Sequence, residues 1–305
     1  MNILQLGFGS IGSRHHANLT ALGQTYIAGV DPIIERVPQN VPHGYRSAED
    51  ALEKHGDGAV VIIATPSVEH VPQAMVAVKH GARAILLEKP PSIKAPELDK
   101  LISAAKGIPV GVAFNFRFHP VYSENILPQA RKMPRGFMAL AANDDVISWP
   151  NYERRGWVAD RVQGGALLTS AVHAIDLAIE AMGPVDEVIM VQAMDPSVAD
   201  SESMVNLNLH HKSEGNAMIY IAWRKPHFQA ALWRSPECAM FFSLQDETWF
   251  QARESMHFLM MRAFLNYVET GDPGRVCTLE QARHVMEVVD AGRRSWEERG
   301  VVRIS

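Results

Sequence analysis

The amino-acid sequence predicts an α/β protein in which a doubly wound parallel sheet is followed by an α+β domain with an open, mostly antiparallel sheet. Over roughly the first 115 residues, short apolar runs alternate with helix-like segments, which is typical of βαβ units. Beyond residue 119, longer alternating strands are segregated from the helices, which favours an α+β arrangement. We therefore expect one domain at residues 1–118 and a second at residues 119–305.

Five apolar runs are expected to form the strands of the first sheet. The run Ala59–Ala64 is apolar throughout, as expected of a strand covered on both faces. Helices are predicted between the runs, and Gly81 and Gly107 follow two of them as stop signals. The predicted strands are Asn2–Leu6, Tyr26–Val30, Ala59–Ala64, Ala84–Leu87 and Pro109–Phe114, and the predicted helices are Ser10–Leu22, Glu69–His80 and Ala95–Ala105.

The second domain is predicted from a different pattern. An amphipathic helix opens it, strands of alternating polarity follow, and a helix rich in small and apolar residues lies between them. A cluster of Met256, Met260 and Met261 with Phe258 and Phe264 indicates core packing. The predicted helices are Val121–Lys132, Gly165–Met182 and Leu279–Glu297, and the predicted strands are Phe137–Ala142, Glu187–Ala193, Met204–His211 and Asn216–Arg224.

Composition limits the classes of function. The 305 residues include 29 Lys and Arg against 34 Asp and Glu, a net charge of −5, which is the wrong sign for a nucleic-acid-binding protein. No apolar run reaches the length of a membrane span, and the N-terminus lacks a cationic secretory leader. Cys238 and Cys277 have neither disulfide-framework nor metal-type spacing, which favours a cytoplasmic location. Asp144 and Asp145 have no second acidic pair, so no metal site is predicted.

A glycine-rich loop lies between the first predicted strand and the first predicted helix. One glycine permits a tight turn, the next lets the backbone approach a pyrophosphate, and the third allows the helix to pack closely on the strand. The helix N-terminus then offers N–H groups and a positive dipole end to the phosphates. This strand–loop–helix unit predicts a Rossmann dinucleotide site. Its predicted cofactor contacts are Gly7, Gly9, Ser10, Ile11 and Gly12.

The second predicted strand ends at an acidic residue. Asp31 follows Gly12 by 19 residues, a position from which a carboxylate accepts hydrogen bonds from the adenosine ribose hydroxyls. Because the same carboxylate would repel the 2′-phosphate of NADP, the sequence favours NAD as the cofactor. Arg14 and Arg36 are near enough in sequence to leave NADP open.

A lysine follows the strand Ala84–Leu87, at the sheet edge where doubly wound folds bind ligands. Lys89 can polarise a carbonyl oxygen or hold a hydroxyl group near the nicotinamide. Its plainer interpretation is a surface lysine in a turn. Thr65 and His70 follow the neighbouring strand, and His70 either touches the cofactor or caps its own helix.

The motifs occur in the order typical of a known family. The segments GFGSIGSRHH, VVIIATPSVEH, LLEKPPS and NFRFHP, with a later one from Trp157 through Gly164-Gly165 to His173 and Asp176, resemble the Gfo/Idh/MocA family of NAD(P)-dependent oxidoreductases. The resemblance covers about residues 1–185. It implies a Rossmann domain followed by a substrate-binding α/β domain that often carries an oligomerisation face. It further implies sugar, cyclitol or sugar-nucleotide substrates and a homo-oligomer, either a dimer or a tetramer.

The later segment contains a candidate proton acceptor. Thr169, His173, Asp176 and Glu180 share one face of the predicted helix. An imidazole suits removal of a hydroxyl proton as hydride leaves, and the resemblance pairs His173 with Lys89 as the catalytic residues. The alternative is a buried structural histidine. Family members commonly carry an aspartate at the position of Thr169, so Asp176 and Thr169 are expected to orient the imidazole.

Further residues are candidate ligand contacts. Arg117 can bind a carboxylate or phosphate through two hydrogen bonds or form an interdomain ion pair. The aromatic and basic segment 148–157 can stack on a sugar ring and hold an anionic group, or be an ordinary surface loop. The predicted substrate contacts are Arg117, Trp149, Arg154, Trp157, Thr169 and Asp176, and the predicted cofactor contacts beyond the glycine loop are Asp31, Thr65, His70, Glu88 and Lys89.

Together these features predict an oxidoreductase that transfers a hydride between a nicotinamide cofactor and a secondary alcohol or ketone of a sugar-like substrate. Two alternatives stay open. A protein of this family can use tightly bound NAD as a temporary oxidant in glycoside cleavage or epimerisation, and would then release no reduced cofactor. A non-catalytic protein would bind NAD without exchanging hydride, and Thr169 in place of an acid is the feature that favours it.

Overall fold

The computed structural model describes residues 1–148, 156–160, 162–224, 228–243 and 247–304. The chain forms two compact units that are interleaved in sequence. Unit 1 comprises Met1–Ser92, Pro96–Asn115 and Ser255–Arg283, and unit 2 comprises Ile93–Ala95, Phe116–Glu254 and His284–Ser305. Unit 1 thus combines the N-terminal part of the chain with a distant later segment, Ser255–Arg283.

Over the described residues the chain forms fourteen strands and nine α-helices. The strands are β1 (Asn2–Leu6), β2 (Thr25–Val30), β3 (Gly44–Tyr45), β4 (Val60–Ile63), β5 (Ala84–Leu87), β6 (Val110–Val112), β7 (Phe137–Asn143), β8 (Val185–Ala193), β9 (Met204–His211), β10 (Asn216–Ala222), β11 (Phe228–Arg234), β12 (Ala239–Ser243), β13 (Cys277–Thr278) and β14 (Val302–Arg303). The helices are α1 (Ser10–Ala21), α2 (Ala48–His55), α3 (Ser67–Lys79), α4 (Ala95–Ala104), α5 (Leu127–Lys132), α6 (Gly156–Ala159), α7 (Val172–Met182), α8 (Glu247–Thr270) and α9 (Leu279–Glu298).

Unit 1 is built on a seven-stranded sheet of order β13-β6-β5-β4-β1-β2-β3. Every neighbouring pair is parallel except β13 with β6. The order β3-β2-β1-β4-β5-β6 is that of the Rossmann fold, and it reverses between β1 and β4, where such sheets bind ligands. The predicted parallel sheet is therefore confirmed.

The predicted elements of this sheet occur with small differences at their ends. Strands β4 and β5 are buried along their whole length, as their continuous apolar runs predict. Strand β3 and helix α2 were not predicted from the sequence. A signal for α2 exists, because the hydroxyl of Ser47 accepts a hydrogen bond from the N–H of Asp50 at 3.4 Å, and acidic residues occupy the first turn.

Unit 2 contains a second seven-stranded sheet, of order β12-β11-β7-β10-β9-β8-β14. Only β7 and β10 are parallel neighbours in it, so the predicted mostly antiparallel sheet is confirmed. Strand β11 was not predicted, and its alanines are poor strand formers. Its pairing with β7 is a long-range contact that the local pattern does not reveal.

The methionine cluster on α8 lies in the core, as the sequence predicts. Met256, Met260, Met261 and Phe264 are at most 1% exposed, and Phe258 is half-buried. None of the helices in the described ranges combines the length and apolarity needed to cross a bilayer.

Candidate functional site

The glycine-rich loop joins β1 to α1 in unit 1 and has the backbone that a pyrophosphate site requires. Gly7 has φ +91°, and a Cβ there would lie 2.8 Å from the carbonyl carbon of Ala64. A Cβ on Gly12 would lie 2.8 Å from the carbonyl carbon of Gly7. By contrast, a Cβ on Gly9 would have no heavy atom of the described chain within 4 Å. The fold itself thus requires glycine at positions 7 and 12. The space beside Gly9 stays open, and we call this space the cradle because a phosphate fits there.

The N-terminus of α1 and a buried glutamine complete this loop. No side chain in the described chain caps α1, and its first turn has no acidic residue, an arrangement that suits an anion. Gln5 donates from Nε2 to the carbonyl oxygens of Gly7 at 2.9 Å and Gly12 at 2.8 Å, and accepts from the hydroxyl of Tyr26 at 2.9 Å. Burial raises the pKa of Tyr26, which keeps this hydroxyl a donor. Gln5 was not predicted as a site residue, although a polar residue inside an apolar strand is a signal for such a role.

Asp31 follows β2, and its carboxylate is held against the glycine loop. Oδ2 accepts from the N–H of Phe8 at 2.9 Å, and Oδ1 accepts from the N–H of Ile33 at 2.9 Å. The Nη1 atom of Arg36 lies 3.8 Å from Oδ1. Because a carboxylate has about four lone-pair positions, it can also accept from the two hydroxyls of a ribose. The donors and the open cradle therefore fit a dinucleotide.

Lys89 follows β5 and is half-buried between the buried residues Glu88 and Pro90. Oε1 of Glu88 lies 2.7 Å from Nε2 of His15 on α1, and Oε2 accepts from the backbone N–H of Lys89 at 3.1 Å. Burial opposes ionisation of Glu88, but the hydrogen bond from His15 and the charges of His15, Lys89 and His257 lower its pKa. Lys89 therefore lies beside a buried carboxylate.

His70 on α3 lies next to the same loop. Its Nδ1 is 2.8 Å from the carbonyl oxygen of Pro90, and its Nε2 is 2.9 Å from that of Thr65. Burial lowers the pKa of His70, although the two carbonyl oxygens oppose this shift. Because both ring nitrogens lie against carbonyl oxygens, His70 does not cap the N–H groups of α3. Its predicted contact with the cofactor, like those of Thr65 and Glu88, remains a prediction.

His173 belongs to the first turn of α7 in unit 2. The helix predicted over Gly165–Met182 includes a π-helical turn, Leu167–Ala171, directly before α7. The apolar face predicted for this helix is buried, whereas His173 is half-buried. The ring centroid of Phe116 lies 4.6 Å from that of His173, with the planes inclined at 45°. The aromatic ring limits the orientations open to the imidazole.

Arg117 and Asp176 pair with each other in unit 2. Nε of Arg117 donates to Oδ2 at 2.8 Å and Nη2 donates to Oδ1 at 2.6 Å, and both side chains are at most 2% exposed. The hydroxyl of Tyr122 donates to the carbonyl oxygen of Leu177 at 2.8 Å. The segment 116–122 is thus bonded to the helix that carries His173. The predicted substrate contacts of Arg117, Asp176 and the buried Thr169 remain predictions.

A carboxylate anchors the start of this helix. Oε1 of Glu202 accepts from the N–H of Leu167 at 3.1 Å, and the backbone oxygen of Glu202 accepts from Ala166 at 2.9 Å. Gly165 has φ +88°, and a Cβ there would lie 2.7 Å from Oε2 of Glu202. Burial raises the pKa of Glu202. The second glycine of the Gly-Gly pair is therefore required by this carboxylate.

Three predicted substrate contacts fall outside the part of the chain that the structure describes. Trp149 and Arg154 lie outside the described residues, as does the side chain of Trp157. Within the described ranges, no group of three or more His, Cys, Asp or Glu side chains is arranged to hold a metal ion.

The Rossmann strand order, the glycine loop and Asp31 define a dinucleotide-binding domain. Residues 1–116 match the family model GFO_IDH_MocA, described as an oxidoreductase family with an NAD-binding Rossmann fold. The match confirms the predicted resemblance to the Gfo/Idh/MocA oxidoreductases over these residues, and with it the predicted NAD cofactor. No curated protein matches the sequence.

Solved structures share the fold over the whole chain. One is GenD2 from gentamicin A biosynthesis in complex with NAD, at 18% identity and a TM-score of 0.86 over 100% of this chain and 96% of that one. Another is scyllo-inositol dehydrogenase from Lactobacillus casei with bound NAD(H) and scyllo-inositol, at 16% identity and a TM-score of 0.83 over 99% and 98%. A third is myo-inositol 2-dehydrogenase from Lactobacillus plantarum, at 16% identity and a TM-score of 0.85 over 100% and 99%.

Proposed function

We propose that this protein is an NAD-dependent dehydrogenase that oxidises a secondary alcohol of a cyclitol or another sugar-like substrate, or reduces the corresponding ketone. The main support is the juxtaposition, in unit 1, of a glycine loop with an open cradle at Gly9 and a carboxylate, Asp31, held against that loop. The substrate class is supported by the inositol dehydrogenases that share the fold.

In this proposal the residues of the chain divide the work. Bound NAD would supply the hydride acceptor. The glycine loop and the N-terminus of α1 bind the pyrophosphate, and Asp31 accepts hydrogen bonds from the ribose. Lys89 donates a hydrogen bond to the reacting oxygen and stabilises its developing negative charge. His173 accepts the proton of the substrate hydroxyl group and holds it on the imidazole while the alcohol is oxidised to the ketone.

Lys89 has the larger electrostatic role in this scheme. Position 169, one turn before His173, holds a threonine, whose hydroxyl can hydrogen-bond to a neighbour but carries no charge to stabilise an imidazolium. An ammonium beside the substrate oxygen lowers the pKa of the alcohol. His173 can then accept the proton, and for the reverse reaction it returns the proton.

The test uses purified protein, NAD⁺ and a panel of myo-inositol, scyllo-inositol and hexoses, with NADH followed by its absorbance. Lys89→Ala and His173→Ala are each expected to lower kcat/KM by about 10²–10⁴-fold on a substrate that the unmodified protein oxidises. Lys79→Ala, which removes an exposed lysine at the end of α3, is the matched control and should leave turnover unchanged.

Three results would contradict the proposal. Unchanged turnover in both Lys89→Ala and His173→Ala would remove their catalytic roles. Product formed without an equal amount of NADH would show that bound NAD is recycled. Tight NAD binding with no hydride exchange on any compound of the panel would show a non-catalytic binding protein.

We also propose that the protein is a homo-oligomer that pairs through the open face of the unit 2 sheet. The register places Ile189 opposite Asn208 and Asn208 opposite Met218 on one face. Ile189 is 42% exposed and Met218 is 37% exposed, and the adjacent Val191 is 52% exposed. Large apolar side chains exposed on one sheet face favour association, and a self-complementary patch suits a two-fold dimer. Light scattering after gel filtration should show an oligomer that Val191→Glu dissociates; a monomeric unmodified protein would refute it.

We also propose a cytoplasmic location, because neither cysteine forms a disulfide. Cys238 and Cys277 both keep their thiols outside any disulfide, and Cys277 is buried. Cysteines that stay reduced are typical of proteins in reducing compartments. Fractionation of source cells, with detection of the protein outside the cytosolic fraction, would contradict this proposal.

A further inference from the structure

Two buried histidines hold the residues on either side of Lys89. His15, from α1, bonds the Glu88 side chain before the lysine at 2.7 Å. His70, from α3, contacts the Pro90 carbonyl oxygen after it at 2.8 Å. The two imidazoles are 0% and 1% exposed, and all these residues belong to unit 1. The loop is therefore held from two helices.

We propose that His15 and His70 are positioning residues that fix the Lys89 ammonium for the reaction. The inference rests on the proposed function, in which Lys89 contacts the substrate oxygen. A lysine side chain has four rotatable carbon–carbon bonds, so the placement of its Nζ depends on a fixed backbone and on neighbouring charges. Groups that act on a substrate must be held within about 0.5 Å of their productive geometry. Loops that follow strands are otherwise among the more mobile parts of a protein.

The chemistry of the two contacts favours positioning over simple stabilisation. A buried contact between an imidazole and a carboxylate, such as His15–Glu88, is seldom more stabilising than apolar side chains of the same size. Folding alone therefore does not require it. Glu88 also accepts from the N–H of Lys89 at 3.1 Å, so the carboxylate links His15 directly to the lysine backbone. The His70 ring also lies against the carbonyl oxygen of Thr65, so it packs between the loop after β4 and the loop after β5.

Amide substitutions separate the individual contacts. The Nδ2 of asparagine can occupy the place of histidine Nδ1, and the Nε2 of glutamine can occupy that of histidine Nε2. His70→Asn therefore keeps the contact with Pro90, whereas His70→Gln keeps only the contact with Thr65. In the same way His15→Gln keeps a donor to Glu88, and His15→Leu removes it. His80→Gln, at the other end of α3, is the control.

The first measurement needs no substrate. Trace acetylation with acetic anhydride, read by peptide mass spectrometry, gives the reactivity of Lys89 relative to the exposed Lys79 in the full-length protein. His15→Leu and His70→Gln are expected to change this ratio by about threefold or more, the effect of a modest change in charge environment. His15→Gln, His70→Asn and the His80→Gln control should leave it unchanged.

The second measurement follows turnover on a cyclitol that the unmodified protein oxidises. His15→Leu and His70→Gln should lower kcat by about tenfold to 100-fold, because misplacing a reacting group by about 1 Å has effects of this size. For His15→Leu, KM and the dissociation constant of NAD⁺ should stay within about twofold. His15→Gln and His70→Asn should recover most of kcat.

The outcomes distinguish the positioning role of the two histidines from the proposed catalytic role of Lys89. An unchanged labelling ratio in His70→Gln, or equal behaviour of His70→Asn and His70→Gln, would overturn the positioning role. If His15→Leu does not fold, the comparison of His70→Asn with His70→Gln still tests the positioning role. If the labelling ratio responds as expected but Lys89→Ala turns over normally, the positioning of Lys89 stands and the proposed catalytic role of Lys89 fails.

Discussion

Replacing Gly9 by alanine tests whether the glycine loop binds a pyrophosphate. Gly9 is the N-cap of α1, with φ −66° and ψ −166°, a conformation that alanine adopts without strain. A Cβ there would meet no heavy atom of the described chain within 4 Å. The only expected effect on folding is the poorer capping of alanine, about 1 kcal/mol or less in the free energy of unfolding.

The effect on NAD binding should be larger. The methyl group of Gly9→Ala would fill the cradle through which the backbone approaches the pyrophosphate. Losing one charge-assisted hydrogen bond to a phosphate weakens binding by about 1.5–3 kcal/mol, which is about a tenfold to 150-fold increase in the dissociation constant. Gly12→Ala is the matched comparison. Its Cβ would lie 2.8 Å from the carbonyl carbon of Gly7, so the loop must move, at about 1–3 kcal/mol in stability.

Two assays separate these effects. Isothermal titration of each variant with NAD⁺ gives the dissociation constant, and urea unfolding without cofactor gives stability. Gly9→Ala should lose affinity with little change in stability, and Gly12→Ala should lose both. Unimpaired NAD⁺ binding by Gly9→Ala would refute the assignment of this loop as the pyrophosphate site.

Three further predictions concern unit 2. Asp176→Asn should lower the free energy of unfolding, measured in urea, by about 3 kcal/mol, because Arg117 stays charged and buried. The double variant Arg117→Met, Asp176→Leu should be more stable than Asp176→Asn alone. Burial lowers the pKa of His211 from 6.5 to about 4. Between these pH values the His211 imidazole is protonated in the unfolded chain but neutral in the folded protein. The free energy of unfolding is therefore highest above pH 6.5 and falls by about 3 kcal/mol in total as the pH decreases. His211→Asn should flatten this part of the profile of urea midpoint against pH. Gly165→Ala should lower Tm by several degrees, because φ +88° and the Glu202 carboxylate both oppose a side chain; an unchanged melting curve would contradict this.

Sequence patterns predicted the elements that depend on neighbouring residues. The apolar runs predicted β4 and β5 because a strand covered on both faces is apolar throughout. Strand β11 was missed, since its place beside β7 depends on a pairing across 84 or more residues of chain. The π-helical turn Leu167–Ala171 was also missed, because its sequence has the composition of an ordinary buried helix.

The sequence by itself determined the parallel sheet, the glycine loop, the acidic residue after β2 and the candidate residues Lys89 and His173. Each of these follows from a local period, a spacing or a motif. Only the tertiary structure decided which side chains meet: Arg117 with Asp176, 59 residues apart, and His15 with Glu88, 73 residues apart. Such pairs form where separate elements pack together, and the hydrophobic pattern that drives packing does not encode which polar groups end up in contact.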